Sequence, residues 1–126
     1  MIQIKLHDSG VSPEESYYHF KAFDEKEEDC TILFNSDYDL KIHGRFHNLI
    51  EIMRYHNYFE LTLILNQEEN EKIKNIKSVI KNIIGKEEDS IKTFENRSIK
   101  INSFKFILPE NRFNEIYDKI INVQIF

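Results

Sequence analysis

The stretch KIHGRFHNLIEIMRYHNYFE, residues 41–60, sets three histidines, two arginines and two glutamates around an apolar run. Imidazole and carboxylate groups ligate metals and move protons, so their spacing decides whether they form a site. His43 and His47 lie four apart, which on a helix places two imidazoles on one face for a metal. Glu51 follows four residues later. One reading is therefore a small hydrolase or nuclease using His43, His47 and Glu51, with His19 or His56 supplied by the fold. That reading needs both histidines on one helix. The alternation in YDLKIH, with Tyr38, Leu40 and Ile42 on one side, puts His43 on a strand before Gly44, facing solvent. On a helix after Gly44, His47, Glu51 and Arg54 share the side opposite Phe46, Leu49 and Met53. This is the spacing of ordinary surface pairs, and His56 falls at the edge of the apolar arc. We assign no catalytic residue, metal or cofactor from this stretch.

The rest of the chain carries no catalytic signature. There is no GxSxG elbow, no HExxH, no EF-hand sequence, and three glycines leave little material for a phosphate-cradling loop. Asp37 and Asp39, or the acids of DEKEED, have the chemistry for a divalent cation, but charged turns more ordinarily keep a hairpin soluble. The single cysteine, Cys30, forms no internal disulfide and reads as a small buried hydrophobe. No run approaches the roughly 18 apolar residues that span a bilayer, and no signal-peptide pattern opens the chain. The expectation is a soluble, cytoplasmic protein that does not bind a membrane.

Charge is more informative. The net charge of −5 argues against direct binding of nucleic acid, which needs basic surface to displace counterions from phosphates. Residues 1–42 carry ten acidic groups against four lysines, whereas the remainder is nearly neutral. The acids are interleaved with aromatics: Tyr17 and Tyr18 precede Asp24, Glu25, Glu27, Glu28 and Asp29, and Tyr38 lies between Asp37 and Asp39. Acidic side chains steer a basic partner into encounter and tyrosines supply rigid contact area once it docks. These ten residues are the candidate partner-binding surface. The pattern suits a small intracellular inhibitor of the immunity-protein, antitoxin or phage counter-defence kind, occluding a basic enzyme such as a nuclease toxin or a host enzyme, and not itself an enzyme. A third reading is a structural module in which copies pair through an exposed strand.

The elements that must position these residues follow from periodicity. The 126 residues fit one α+β domain. MIQIKL alternates as a first strand, and HDSGVSPEES reads as a loop in which Ser12 and Glu15 also have capping-box spacing. YYHFKAF favours strand, CTILFN and YDLKIH are short strands, and Arg45 to about His56 follows helical spacing. YFELTLIL is the strongest strand. Asn66, with Glu69 three residues on, caps a helix whose stripe is Ile73, Ile76, Ile80 and Ile83, and Gly85 closes it. IKTF and IKINSFKFIL form a hairpin, where a bulge near Asn102 and Ser103 would turn both Ile99 and Ile101 and Phe104, Phe106 and Leu108 to the core. Pro109 and Glu110 start a last helix along Phe113, Ile116, Tyr117, Ile120 and Ile121, before NVQIF as a strand. The expected fold is a mixed or antiparallel sheet with about three helices. Its C-terminal part has β-α-β-β-α-β, ferredoxin-like order, preceded by a β-rich N-terminal segment.

Overall fold

The computed structural model describes residues 1–12, 14–23, 25–26, 49–66, 71–96 and 99–125. Among the described residues seven strands form one sheet: β1 (Ile2–Val11), β2 (Ser16–Phe23), β3 (Ile50–Arg54), β4 (Tyr58–Asn66), β5 (Ser90–Asn96), β6 (Ile99–Pro109) and β7 (Gln124–Ile125). Among the described residues there are two α-helices, α1 (Glu71–Ile84) and α2 (Phe113–Ile121), the latter entered through a 3-10 turn at Glu110–Arg112. The strand order is β5-β6-β4-β3-β2-β1-β7, and every neighbouring pair is antiparallel. The fold is α+β.

Both helices pack on one face. Strand residues of a single parity supply it: Ile4, Phe20, Ile50, Ile52, Phe59, Leu61, Leu63 and Phe106 are fully buried there, with Ile76, Ile80, Ile116 and Ile120 from the helices. The Phe113 ring meets Tyr18, Phe59 and Tyr117 at centroid distances of 5.3, 5.5 and 5.5 Å, and Lys77 lies 4.4 Å over Phe104. Burying these aromatic and aliphatic groups supplies the main driving force for holding α1 and α2 on the sheet.

Several expectations are corrected. The first strand does not stop at Leu6. It continues through His7–Gly10 to Val11, with a register shift between Leu6 and Asp8 that takes up one extra residue as a bulge. Ser12 and Glu15 cap no helix; they close the β1–β2 hairpin, where the Ser12 N–H donates to the Glu15 carbonyl at 2.8 Å and the Glu15 N–H donates to the Ser12 hydroxyl at 3.2 Å. Residues 16–23 are a strand. The helix expected from Arg45 to His56 is replaced, over 50–54, by the strand β3. Leu49, Ile50 and Met53 fit a helical arc, but Ile50 and Ile52 also alternate with Glu51 and Met53. Pairing to strands on both sides decides for period two. This removes the third helix from the described residues. The expected strands at CTILFN and YDLKIH lie outside them.

Strand β4 runs through Asn66, and the helix begins at Glu71, with Glu69 outside the described residues. Gly85 closes it at φ +76°, its N–H donating to the Lys81 carbonyl at 2.8 Å. Strand β6 pairs with β4 in unbroken register, so no bulge reverses its parity. Phe104, Phe106 and Leu108 face the helices, while Ile101 is buried on the opposite face, as is Ile64 of β4. Ile121 is exposed, so the apolar stripe of α2 ends at Ile120. The elements after Tyr58 follow the expected order along the chain, but β7 pairs with β1. The meander β1-β2-β3 therefore stands between β4 and β7, where a ferredoxin-like unit would make its first and fourth strands neighbours.

Candidate functional site

The face of the sheet opposite the helices carries a cluster of ionisable groups across β1, β2 and β3. Cross-strand register sets Asp8 opposite His19 and His19 opposite Glu51, so three side chains of one parity line up across the strands. The bulge after Leu6 is what brings Asp8, instead of His7, into this row. His19 is 2% exposed. Its Nδ1 lies 3.6 Å from Asp8 Oδ2 and its Nε2 3.6 Å from Glu51 Oε2. Tyr17, two residues along the same strand, stacks on the ring at 4.7 Å and 28°. The carboxylates stand at opposite nitrogens, so one ion cannot be shared by all three groups. Among the described residues no set of three or more His, Cys, Asp and Glu side chains is placed to hold a metal.

A second arrangement lies at the end of the sheet where the β1–β2 and β3–β4 turns meet. Ser12, Glu14, Glu15, Ser16, Arg54, Tyr55 and His56 line an open groove of about 440 Å³. The Tyr55 N–H donates to the Tyr58 carbonyl at 2.9 Å, closing the β3–β4 turn, and this brings the two rings into a stack at 4.8 Å and 23°. Burial raises the Tyr55 phenol above its ordinary value, and the negative fields of Glu60 and Glu15 add to it. Glu14 and Glu15 are exposed, and neither carboxylate has an ion-pair partner among the described residues. Arg54, which also lines the groove, is engaged by its neighbours: its Nε donates to Glu110 Oε1 at 2.6 Å, and its guanidinium sits 4.1 Å over the Phe113 ring. The hydrogen bond to Glu110 is the main reason its protonated form is favoured.

Of the sequence candidates, the fold brings His19 and Glu51 together, whereas His43 and His47 lie outside the described residues. His56 is an exposed turn residue and not the edge of a helical arc. On the expected partner surface, Tyr17 lies on the face opposite the helices. Tyr18 is turned to the helix side, packed against Phe113 and Tyr117 at 5.3 and 5.4 Å, so it is withdrawn from that surface. Glu25 is 70% exposed and pairs with the N-terminal ammonium of Met1. Asp24, Glu27, Glu28, Asp29, Asp37, Tyr38 and Asp39 lie outside the described residues. Sequence reasoning did not single out Asp8 or the pair Tyr55 and Tyr58. The signal for the tyrosines was their spacing about HisAsn in YHNY; the signal for Asp8 depends on a bulge that no residue type announces.

Comparison with protein-family models, with curated proteins and with solved structures finds no match. Among the described residues no helix is long and apolar enough to cross a membrane.

Proposed function

We propose that the chain is a small binding module that docks on a basic protein, and that it acts as an inhibitor by occluding that protein's cationic surface. The carrying observation is the turn end of the sheet, where the stacked Tyr55 and Tyr58 stand beside the exposed carboxylates of Glu14 and Glu15, which have no ion-pair partner among the described residues. Tyr58 is 39% exposed, and Val11, at the end of β1, is 85% exposed. Rigid aromatic area flanked by acids supports recognition of lysine- and arginine-rich surface: the acids accelerate encounter and the rings contribute contact area at low entropic cost. The proposed surface thus moves from Tyr18 to Tyr55 and Tyr58, and keeps the acidic character expected of the N-terminal third. A basic enzyme such as a nuclease, acting in the cytoplasm, is the partner class this surface suits.

The hydrolase reading draws less support, because His19, the histidine that meets Glu51, is buried between two carboxylates under a tyrosine ring. Pairing of copies through the β5 edge is opposed by Lys92, exposed within β5, one of the two strands that end the described sheet. The test is affinity capture with the full chain, run beside a variant carrying Glu14→Gln, Glu15→Gln and Tyr58→Ala. A basic protein retained stoichiometrically by the native chain, released as salt is raised and lost in the variant, supports the proposal. Equal retention by both chains, or no stoichiometric partner, overturns it.

A further inference from the structure

The buried ring of His19 has a carboxylate at each of its two nitrogens. An ionised carboxylate only accepts hydrogen bonds, and a neutral imidazole has one donor nitrogen and one acceptor nitrogen. With Asp8 Oδ2 at Nδ1 and Glu51 Oε2 at Nε2, both at 3.6 Å, a neutral ring would aim one lone pair at a carboxylate whichever tautomer it took. The imidazolium presents a positive N–H to each. At 3.6 Å these contacts are ion pairs and not hydrogen bonds, so they depend on the ring carrying charge.

The surroundings agree with this assignment. Among the described residues, β1 contributes Asp8, Gly10 and Lys5 to this face; β2 contributes Tyr17 and Lys21; β3 contributes Glu51 and Met53; β4 contributes Glu60 and Thr62. Lys21 and Lys5, cross-strand neighbours one step along the sheet, oppose a further positive charge, while the two carboxylates are at the ring itself. The Tyr17 ring, stacked at 4.7 Å, offers a π-face to the cation.

We propose that His19 is a proton-operated clasp which, when charged, ties β1 through Asp8 and β3 through Glu51 to β2. The sign follows from linkage. A ring that holds its proton more tightly folded than unfolded contributes stability below its unfolded midpoint, and that contribution is lost as pH rises through the folded midpoint. The clasp is independent of the partner-binding proposal, and its test involves no partner.

The experiment is a pH titration of the imidazole nitrogens by NMR on the full chain, with His19 assigned by its loss in His19→Gln. The expected result is that both nitrogens remain protonated to a midpoint about one pH unit above that of histidine in an unstructured peptide, equivalent to a tenfold tighter proton. Asp8→Asn and Glu51→Gln should each lower that midpoint. A ring that is a single neutral tautomer throughout, or a midpoint at or below the peptide value, overturns the proposal. A midpoint lowered by only one of the two variants overturns the three-strand clasp. If a variant does not fold, the native titration decides alone.

Discussion

The ring of Tyr17 occupies the space that a β-carbon on Gly10 would need. A Cβ built at Gly10 would collide with the Tyr17 ring, and the two residues are cross-strand partners in the β1–β2 hairpin. Gly10 is thus a close-approach residue inside a strand, and the ring that lies over it is the one stacked on His19.

Gly10→Ala should therefore displace Tyr17. Forcing a methyl group against a packed ring costs about 1–3 kcal/mol when neighbours must shift. Urea unfolding measures that loss, and the ring-current shift on the His19 protons should change with it. Equal stability with an unchanged His19 spectrum would mean that the ring does not depend on the missing side chain.

Arg54 and Glu110 join the end of β3 to the 3-10 turn before α2, and both Nε and a terminal guanidinium nitrogen reach the same carboxylate oxygen. Their side chains are 36% and 27% exposed, so solvent screens the pair, and Glu110→Gln should cost only about 1 kcal/mol. Arg54→Ala should cost more, because it also removes the cation from the Phe113 ring. Comparing the two substitutions with the double variant measures the coupling; strict additivity would show that the contact contributes nothing to stability.

How much of this was legible depends on whether a segment's period was unambiguous. YFELTLIL and the Phe113, Ile116, Ile120 spacing leave one solution, and strand and helix formed there. IEIMR satisfies two periods over five residues, so its state was set by pairing to β2 on one side and β4 on the other, which is tertiary information. The apolar residues of both parities in β6 suggested a bulge because a one-faced core was assumed. Ile101 and Ile64 are instead buried on the opposite face. The site follows the same rule. His19 and Glu51 were recognisable as chemistry, but their meeting required β3 to be a strand, and Asp8 joined them only through an unannounced bulge.

If β3 is the central strand its pairing indicates, Ile52→Ala should be severe. Ile52 is fully buried on the helix side, opposite Tyr18 and Leu61. Truncation there should cost about 2–5 kcal/mol in denaturant unfolding, whereas Met53→Ala, on the other face and partly exposed, should cost clearly less. Comparable losses at the two positions would contradict the alternation.

Gly85 tests backbone strain without packing. At φ +76° an alanine would sit in the left-handed region, and no atom lies within 4 Å of the position its Cβ would take. Gly85→Ala should cost about 1–2 kcal/mol from that conformation alone, and Gly85→Asn less, because asparagine tolerates it better. An alanine variant as stable as the native chain would mean that α1 ends in some other conformation.

Asp89 governs the acid side of the stability profile near β5. Its carboxylate accepts from the Ile107 N–H at 2.6 Å, just beyond the last β5–β6 cross-strand pair, and from Lys86 Nζ at 2.8 Å. The backbone N–H of Ile107 and then the Lys86 ammonium hold this carboxyl below the usual aspartate range. The folded value is depressed, so the contribution is present above the unfolded carboxyl value and is lost as pH falls through the folded one. Asp89→Asn keeps an acceptor for Ile107 but removes the charge that titrates. Urea unfolding of the native chain and D89N across roughly pH 2 to 6 should show a stability difference that shrinks towards the acid end. A difference that stays constant across that range would show that the carboxylate's charge is not what fastens the start of β5 to β6.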